Sequence, residues 1–353
     1  MRRGPDNPLP VAVIGAGGRV GEYYLKALTA INAPVTAFDI DTERMTTIAT
    51  QFSGIRVAQT MEEALAAAQI AYILTPDHIR TPALASLQTP NIQLTVIEKP
   101  LANNLEEARV LHSVAQTKGK KVIVGSTYRA TPQFAEIKKG VEADEIGDVI
   151  KVRATYNHDL RQVKDDWRKV GEGQNFYYGA ATHPVDMIMH IVGKRVVKVT
   201  ATESRLDLLQ GTDGFKRPEL ITITMLFKNG TIGEVSVNLV TPLPPGEHGT
   251  ELEVEGTKGT YKAHNKKLPE KSDGEFLVYR EGQDGWETRD VRPAYTINQL
   301  VATADAWARE DREDADNPNP FATIDQALDL AYVLDAAERS ARSERTEHIV
   351  YQR

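Results

Sequence analysis

The chain of 353 residues contains no cysteine. Disulfides, a thiolate nucleophile, cysteine-ligated zinc and iron–sulfur clusters are therefore excluded together. Basic residues are the minority, 42 Lys and Arg against 49 Asp and Glu, and the formal charge is −7. Neutralising nucleic-acid phosphates needs a net basic face, so no nucleic-acid partner is expected. Long apolar runs are also missing. The longest, 64–74, is interrupted by Gln69 and is too short to span a bilayer, so no membrane partner is expected. The opening MRRGPDNPLP has no apolar stretch behind its arginines, which argues against an export signal and for a soluble, cytoplasmic protein. No HExxH or clustered histidine set occurs, so no metal site is expected. G-x-S-x-G and P-loop patterns are absent too, which leaves a serine hydrolase or a P-loop NTPase unsupported.

Apolar residues make up 41% of the chain, enough for a full core, and the length suits two domains at about 150 residues each. The pattern changes near residue 127. Before it, the apolar runs VAVIGA (11–16), VTAFD (35–39), IAYIL (70–74), LTVIE (94–98) and KVIVG (121–125) alternate with helical periods at 22–31, 42–52, 61–68, 79–87 and 105–117. Continuous apolar strands between helices predict a doubly wound parallel sheet covered on both faces. After residue 127, strand-like runs follow one another at 149–156, 195–204, 220–227, 231–240, 250–256, 259–264 and 275–280, with turn signals KNG and EGTKG between neighbours. Those runs predict an open, mostly antiparallel sheet, joined by helices at 180–191, 297–309 and 323–343. The fold class is thus α/β: an N-terminal Rossmann-type domain over 1–127 and a C-terminal α+β substrate and oligomerisation domain over 128–353.

The first turn reads VAVIGAGGRVGEYYLKAL. Glycines at 15, 17 and 18 let the backbone turn tightly and approach a pyrophosphate seated on a helix N-terminus, with Ala16, Arg19 and Val20 alongside. The spacing departs from G-x-G-x-x-G, because Val20 stands at the third glycine's position and Gly21 follows it. About twenty residues on, Asp39 ends the second strand where a carboxylate binds ribose hydroxyls; it would repel a 2′-phosphate, so NAD is favoured over NADP. Asp41 reads as the next helix's N-cap.

Two later turns, LTPDHIRTPAL (74–84) and VIEKPLANN (96–104), follow the runs IAYIL and LTVIE. Ligands lie at the C-terminal ends of such strands, which places Thr75, Pro76, His78, Glu98 and Lys99 near a nicotinamide. TPDH and EKP in these positions resemble the glucose–fructose oxidoreductase / inositol dehydrogenase / rhizopine catabolism (Gfo/Idh/MocA) family, and the resemblance runs over essentially the whole chain. It implies a small carbohydrate-like substrate and a hydride transfer between a secondary alcohol of a sugar, inositol or sugar acid and NAD. Relatives that use NAD to cleave glycosides by transient oxidation, or that bind NAD as non-catalytic regulators, give the alternative readings. Lys99 would stabilise a developing alkoxide. Pro100 would fix the bend presenting it, and the family's peptide bond before that proline is commonly cis.

Within YYGAATHPVDMIMHIVG (177–193), His183 and Asp186 share one helix face. The resemblance implies that His183 is the general base, while Asp186 orients the helix or touches sugar hydroxyls. The family's D-x-G-x-H is broken here by Gly179 and Ala181, so Tyr178 is a candidate to relay the proton in place of the absent aspartate, with Tyr177 beside it. Tyr128 and Arg129, after the run KVIVG, and His158, Trp167 and Arg168, in the loop 156–178, are candidate substrate residues. His190 reads as structural. A broad open sheet face needs covering, so a homodimer or homotetramer through the C-terminal sheet is expected.

Overall fold

The computed structural model describes residues 8–162, 175–209, 218–244, 247, 249–265, 274–291, 296–309 and 320–352. In chain order the first elements are β1 (Val11–Ile14), α1 (Arg19–Ala30), β2 (Val35–Phe38), α2 (Thr42–Gln51), β3 (Arg56–Val57) and α3 (Met61–Ala66). They are followed by β4 (Ile70–Ile73), α4 (Thr81–Gln88), β5 (Leu94–Ile97), α5 (Leu105–Lys118) and β6 (Lys121–Val124). A 3-10 turn (Thr127–Ala130) leads to α6 (Pro132–Glu142), β7 (Val149–Asn157), α7 (Phe176–Gly179) and α8 (Thr182–Val192). The strands β8 (Val196–Ser204), β9 (Leu220–Phe227), β10 (Ile232–Asn238), β11 (Gly249–Gly256), β12 (Gly259–Asn265), β13 (Phe276–Arg280) and β14 (Glu287–Thr288) come next. The chain closes with α9 (Thr296–Arg309), β15 (Ala322–Thr323), α10 (Ile324–Ser343) and β16 (Glu347–His348).

Contacts divide the chain into two units. The first comprises residues up to Thr127 together with Thr296–Leu328. Its seven-stranded sheet has the order β15-β6-β5-β4-β1-β2-β3, parallel except for β15 on β6. VAVI, IAYI and LTVI are buried along their whole length because helices cover both sides of these strands. Local chemistry sets the helix ends: Asp41 caps α2 by accepting from the Arg44 amide at 3.0 Å, and α5 stops at Gly119, in the left-handed region at φ 59°. The expected second domain of 128–353 needs correction at its far end. Residues 296–328 belong to the first unit, where α9 buries Ile297, Leu300, Val301 and Ala304 and packs on α1, β4 and β5, while β15 extends the sheet.

The second unit, Tyr128–Tyr295 with Asp329–Arg353, carries a nine-stranded sheet of order β14-β13-β12-β11-β7-β10-β9-β8-β16. Pairing is antiparallel throughout except that β10 runs parallel to β7. One face is apolar and packed. In β9, for example, Ile221, Ile223, Met225 and Phe227 point inward while Thr222 and Thr224 face out. The inner face carries α8, which packs on β7 and β10, with α6 against α8 and β12. Helix α6 was not among the expected helices; Pro132 occupies its first turn, where proline fits.

Candidate active site

In the first unit the turn after β1 is built by close backbone approach. Gly15 has φ +86°, and a β-carbon there would lie 2.8 Å from the Leu74 carbonyl carbon and from the Thr75 amide nitrogen. Its amide, like that of Ala16, donates to the Phe38 carbonyl. The role expected of a third glycine falls to Gly21, not to position 20: a β-carbon at Gly21 would sit 2.3 Å from the Ala16 carbonyl oxygen, while Val20 is an ordinary half-buried residue of α1. Gly18 is the N-cap of α1 and Arg19 is exposed at its start. Asp39 faces this turn; its Oδ2 accepts from the Gly17 amide at 2.8 Å and its Oδ1 from the Asp41 amide at 3.0 Å. A recess opens here, lined in part by Ala16, Gly17, Gly18, Arg19 and Arg44. A glycine cradle on a helix N-terminus, beside a strand-end carboxylate, fits the pyrophosphate and ribose diol of NAD. Arg44, unremarked in the sequence, donates to the Gly17 carbonyl at 3.2 Å and pairs with Asp41.

At the ends of β4 and β5 the two later turns meet. Thr75 closes the first turn by donating from Oγ1 to the Ile79 carbonyl at 2.8 Å, after which Pro76 is half-buried, Asp77 is buried and His78 is exposed. The Lys99–Pro100 peptide bond is cis. Glu98 accepts a 2.9 Å hydrogen bond from Tyr24 of α1, and Gly125 leaves it room, since a β-carbon there would lie 2.9 Å from Glu98 Oε1. Burial holds the Glu98 carboxyl above its ordinary range, although the Lys99 charge and the Tyr24 bond oppose this. Glu98 therefore faces inward to α1. Arg80 was not singled out from the sequence. It is only 6% exposed, and its guanidinium donates to the carbonyls of Pro100, Leu101 and Pro76 at 2.8, 3.0 and 2.9 Å. Burial pulls it down to about 10, so it stays charged at neutral pH.

In the second unit, the 3-10 turn grips α8 at two points. Tyr128 stacks on the His183 ring with centroids 4.2 Å apart and planes 16° apart, and Tyr156 of β7 lies 5.9 Å from the same ring. The Tyr128 hydroxyl is 3.0 Å from Thr250 Oγ1. Next to it, Arg129 holds Asp186 in a bidentate pair at 2.8 and 2.6 Å, both side chains about 4% exposed. Tyr156 stands 6.3 Å from the ring of His158, which is buried.

Other candidate residues of the second unit lie in its interior. Tyr178 is 1% exposed and donates to the Ala331 carbonyl at 3.1 Å. Tyr177 likewise donates to Glu203 at 3.0 Å. Arg129 and Asp186 pair in the interior, in keeping with Asp186 orienting the helix, and Tyr128 is a buried ring stacked on His183. Burial, reinforced by Arg129 and Lys138, pulls His190 down to about 2, so it stays neutral, as a structural residue does. Trp167 and Arg168 lie outside the described residues. Among the described residues no group of three or more metal-ligating side chains occurs, and no helix is long and apolar enough to cross a membrane.

Residues 9–126 match the family model of the oxidoreductase family with an NAD-binding Rossmann fold, and residues 134–262 match that of the GFO/IDH/MocA C-terminal domain. Together these matches cover well over half of the chain. It belongs to the GFO/IDH/MocA family of oxidoreductases. Like other members of that family it pairs an NAD-binding Rossmann unit with a mostly antiparallel second unit. Over 251 residues it is 28% identical to levoglucosan dehydrogenase of Pseudarthrobacter phenanthrenivorans, covering 64% of this chain and 61% of that protein. The chain thus matches somewhat less than two thirds of that relative's length. It is 25% identical to the myo-inositol dehydrogenase Hyg17 of Streptomyces leeuwenhoekii, over 71% of this chain and 75% of that one. The same fold recurs in the aldose-aldose oxidoreductase of Caulobacter crescentus, with a TM-score of 0.81 at 17% identity over 97% of this chain and 100% of that one.

Proposed function

We propose that this GFO/IDH/MocA protein is an NAD-dependent dehydrogenase acting on a secondary alcohol of a sugar, inositol or sugar acid. Support comes from the relatives, named as levoglucosan and myo-inositol dehydrogenases. The observation that carries the reading is the position of Lys99 just past the C-terminal end of β5, in the sheet whose β1 and β2 ends hold the glycine cradle and Asp39. Gly15, Gly17, Gly18 and the first turn of α1 hold the pyrophosphate, and Asp39 the adenosine ribose, with Thr75, Pro76 and His78 toward the nicotinamide half. NAD, when bound, supplies the hydride acceptor.

The protein's own groups manage charge and proton. Lys99 offers an ammonium to the carbinol oxygen and stabilises negative charge as it develops. His183, held face to face by Tyr128, accepts the hydroxyl proton as a neutral imidazole and returns it in the reverse reaction. The protein works in the cytoplasm as a homodimer or homotetramer through the outer face of its nine-stranded sheet, where Lys151–Glu234 and Arg153–Glu253 ion pairs line the surface.

The test is a panel of sugars, inositols and uronates with NAD⁺ or NADP⁺, read as reduced-cofactor absorbance. NADH formation with a polyol, faster than NADPH formation, is the expected result. Release of a glycone without net NADH, or no turnover on any member, overturns the reading. In the same assay Lys99→Met should lower kcat on the order of 10²–10³-fold while NADH affinity stays within a few-fold.

A further inference from the structure

We propose that Arg80 is the positioning residue of the reaction, setting the place of Lys99 by tying the backbone after β5 to the backbone after β4. The inference rests on the reading of Lys99 as the group that meets the substrate oxygen. Nη2 of Arg80 donates to the Pro100 carbonyl at 2.8 Å and Nε to the Leu101 carbonyl at 3.0 Å, so both of its bonds to this turn fall within two residues of Lys99. Nη1 turns the other way, to the Pro76 carbonyl at 2.9 Å, with longer contacts to the carbonyls of Ile79 and Thr75 at 3.3 and 3.4 Å. One planar fork thus serves two separate turns across twenty residues of sequence. A lysine ammonium, a point charge on a flexible stem, cannot hold both in the same way.

Helix stability does not explain the residue. Arg80 stands at the N-cap position of α4 and makes no side-chain cap. A cation at that end opposes the helix dipole. Its burial is instead balanced by carboxylates at Asp77, Glu107 and Glu98, all in the same unit. The arrangement places a guanidinium under the turn that presents Lys99, where it fixes the backbone without touching substrate.

The test compares Arg80→Lys, Lys99→Met and the double variant in the full-length protein. Melting temperature, NADH affinity by fluorescence, and kcat and KM on the best substrate of the panel are measured. Arg80→Lys should keep its melting temperature within a few degrees and NADH affinity within a few-fold, with KM little changed. Its kcat should fall about 100-fold, the scale of an ångström-size misplacement. Adding Arg80→Lys to Lys99→Met should cost nothing more. In Arg80→Ala, added guanidinium ion should restore part of kcat, and it should not do so once Lys99 is replaced. Normal kcat in Arg80→Lys, or a loss equally large in the Lys99→Met background, overturns the proposal. Variants at Arg80 that do not fold make the residue merely structural and also overturn it. A fully active Lys99→Met sinks the reading of Lys99 itself. An inactive Lys99→Met beside a normal Arg80→Lys sinks the role of Arg80 alone.

Discussion

Tyr128 and Arg129 are neighbours in the chain, and they hold two residues of one helix by different forces. Tyr128 fixes the His183 ring by stacking, and Arg129 fixes the helix under it through the buried pair with Asp186. A charge left alone in that interior is far more costly than the pair is beneficial. Arg129→Met should therefore destabilise the protein by about 3–5 kcal/mol in denaturant unfolding, and Arg129→Met with Asp186→Leu should recover most of the loss. An equal loss in the single and double variants would show that packing, not the stranded carboxylate, governs the site. Tyr178 gives the contrasting case. Its hydroxyl serves one carbonyl in the core, so Tyr178→Phe should lose about 1 kcal/mol and keep kcat within a few-fold. His183→Asn should keep the fold and cofactor binding yet lose the acid–base step, read as a large fall in kcat. A dead Tyr178→Phe beside an active His183→Asn reverses the assignment. The types of these residues were legible in the sequence, because EKP, His183 and Asp186 stand in informative patterns. Their orientation was not: the pairing of position 129 with 186, and the inward turn of Tyr178, depend on contacts far apart in the chain.

At the level of elements, strands carried the clearest signal. VAVI, IAYI and LTVI read as buried strands and are buried along their whole length. Helix ends were less visible. Gly21 was displaced by one residue from the expected pattern, and only the 2.3 Å approach of Ala16 reveals why a glycine stands there. The link from α1 to the end of β5, Tyr24 to Glu98, left no local mark either, because it joins residues 74 apart. It carries a pH signature. Burial raises the Glu98 carboxyl above its unfolded value of 4.5, so the folded protein binds that proton more tightly. Ionisation then opposes folding, and this group's contribution is lost as pH climbs through the interval above 4.5. Glu98→Gln still accepts from Tyr24 and does not titrate. Its melting temperature should therefore gain on the wild type as pH rises from about 4 to 7. A difference that stays constant with pH would mean that Glu98 ionises alike in both states.

For the molecule as a whole, the chain does not build its units in sequence order. The change of pattern near residue 127 was visible, but the return of 296–328 to the first unit was not, since helix period alone does not say which sheet a helix covers. Within that unit α9 closes over β4 and β5, and β15 adds an antiparallel strand beside β6 through Ala322 and Thr323. Side chains reinforce the join: Asp305 accepts from the Leu9 amide at 2.8 Å, Lys121 donates to the Trp307 carbonyl at 3.2 Å, and His112 meets Asp325 at 2.8 Å. A fragment ending at Thr127 keeps every glycine of the cradle, Asp39, Lys99 and Arg80, yet it bares the apolar strands that α9 covers and leaves β6 as an open edge. Open edges and bare apolar faces favour association over a unique fold. The fragment 1–127 should therefore aggregate or melt without cooperativity and bind NADH poorly. The same fragment joined by a short flexible linker to 296–328 should unfold in one transition and bind NADH. Circular dichroism melts and NADH fluorescence distinguish the two. Cooperative unfolding and full NADH affinity in 1–127 alone would show that the returning segment is an ornament on a complete domain rather than part of its core.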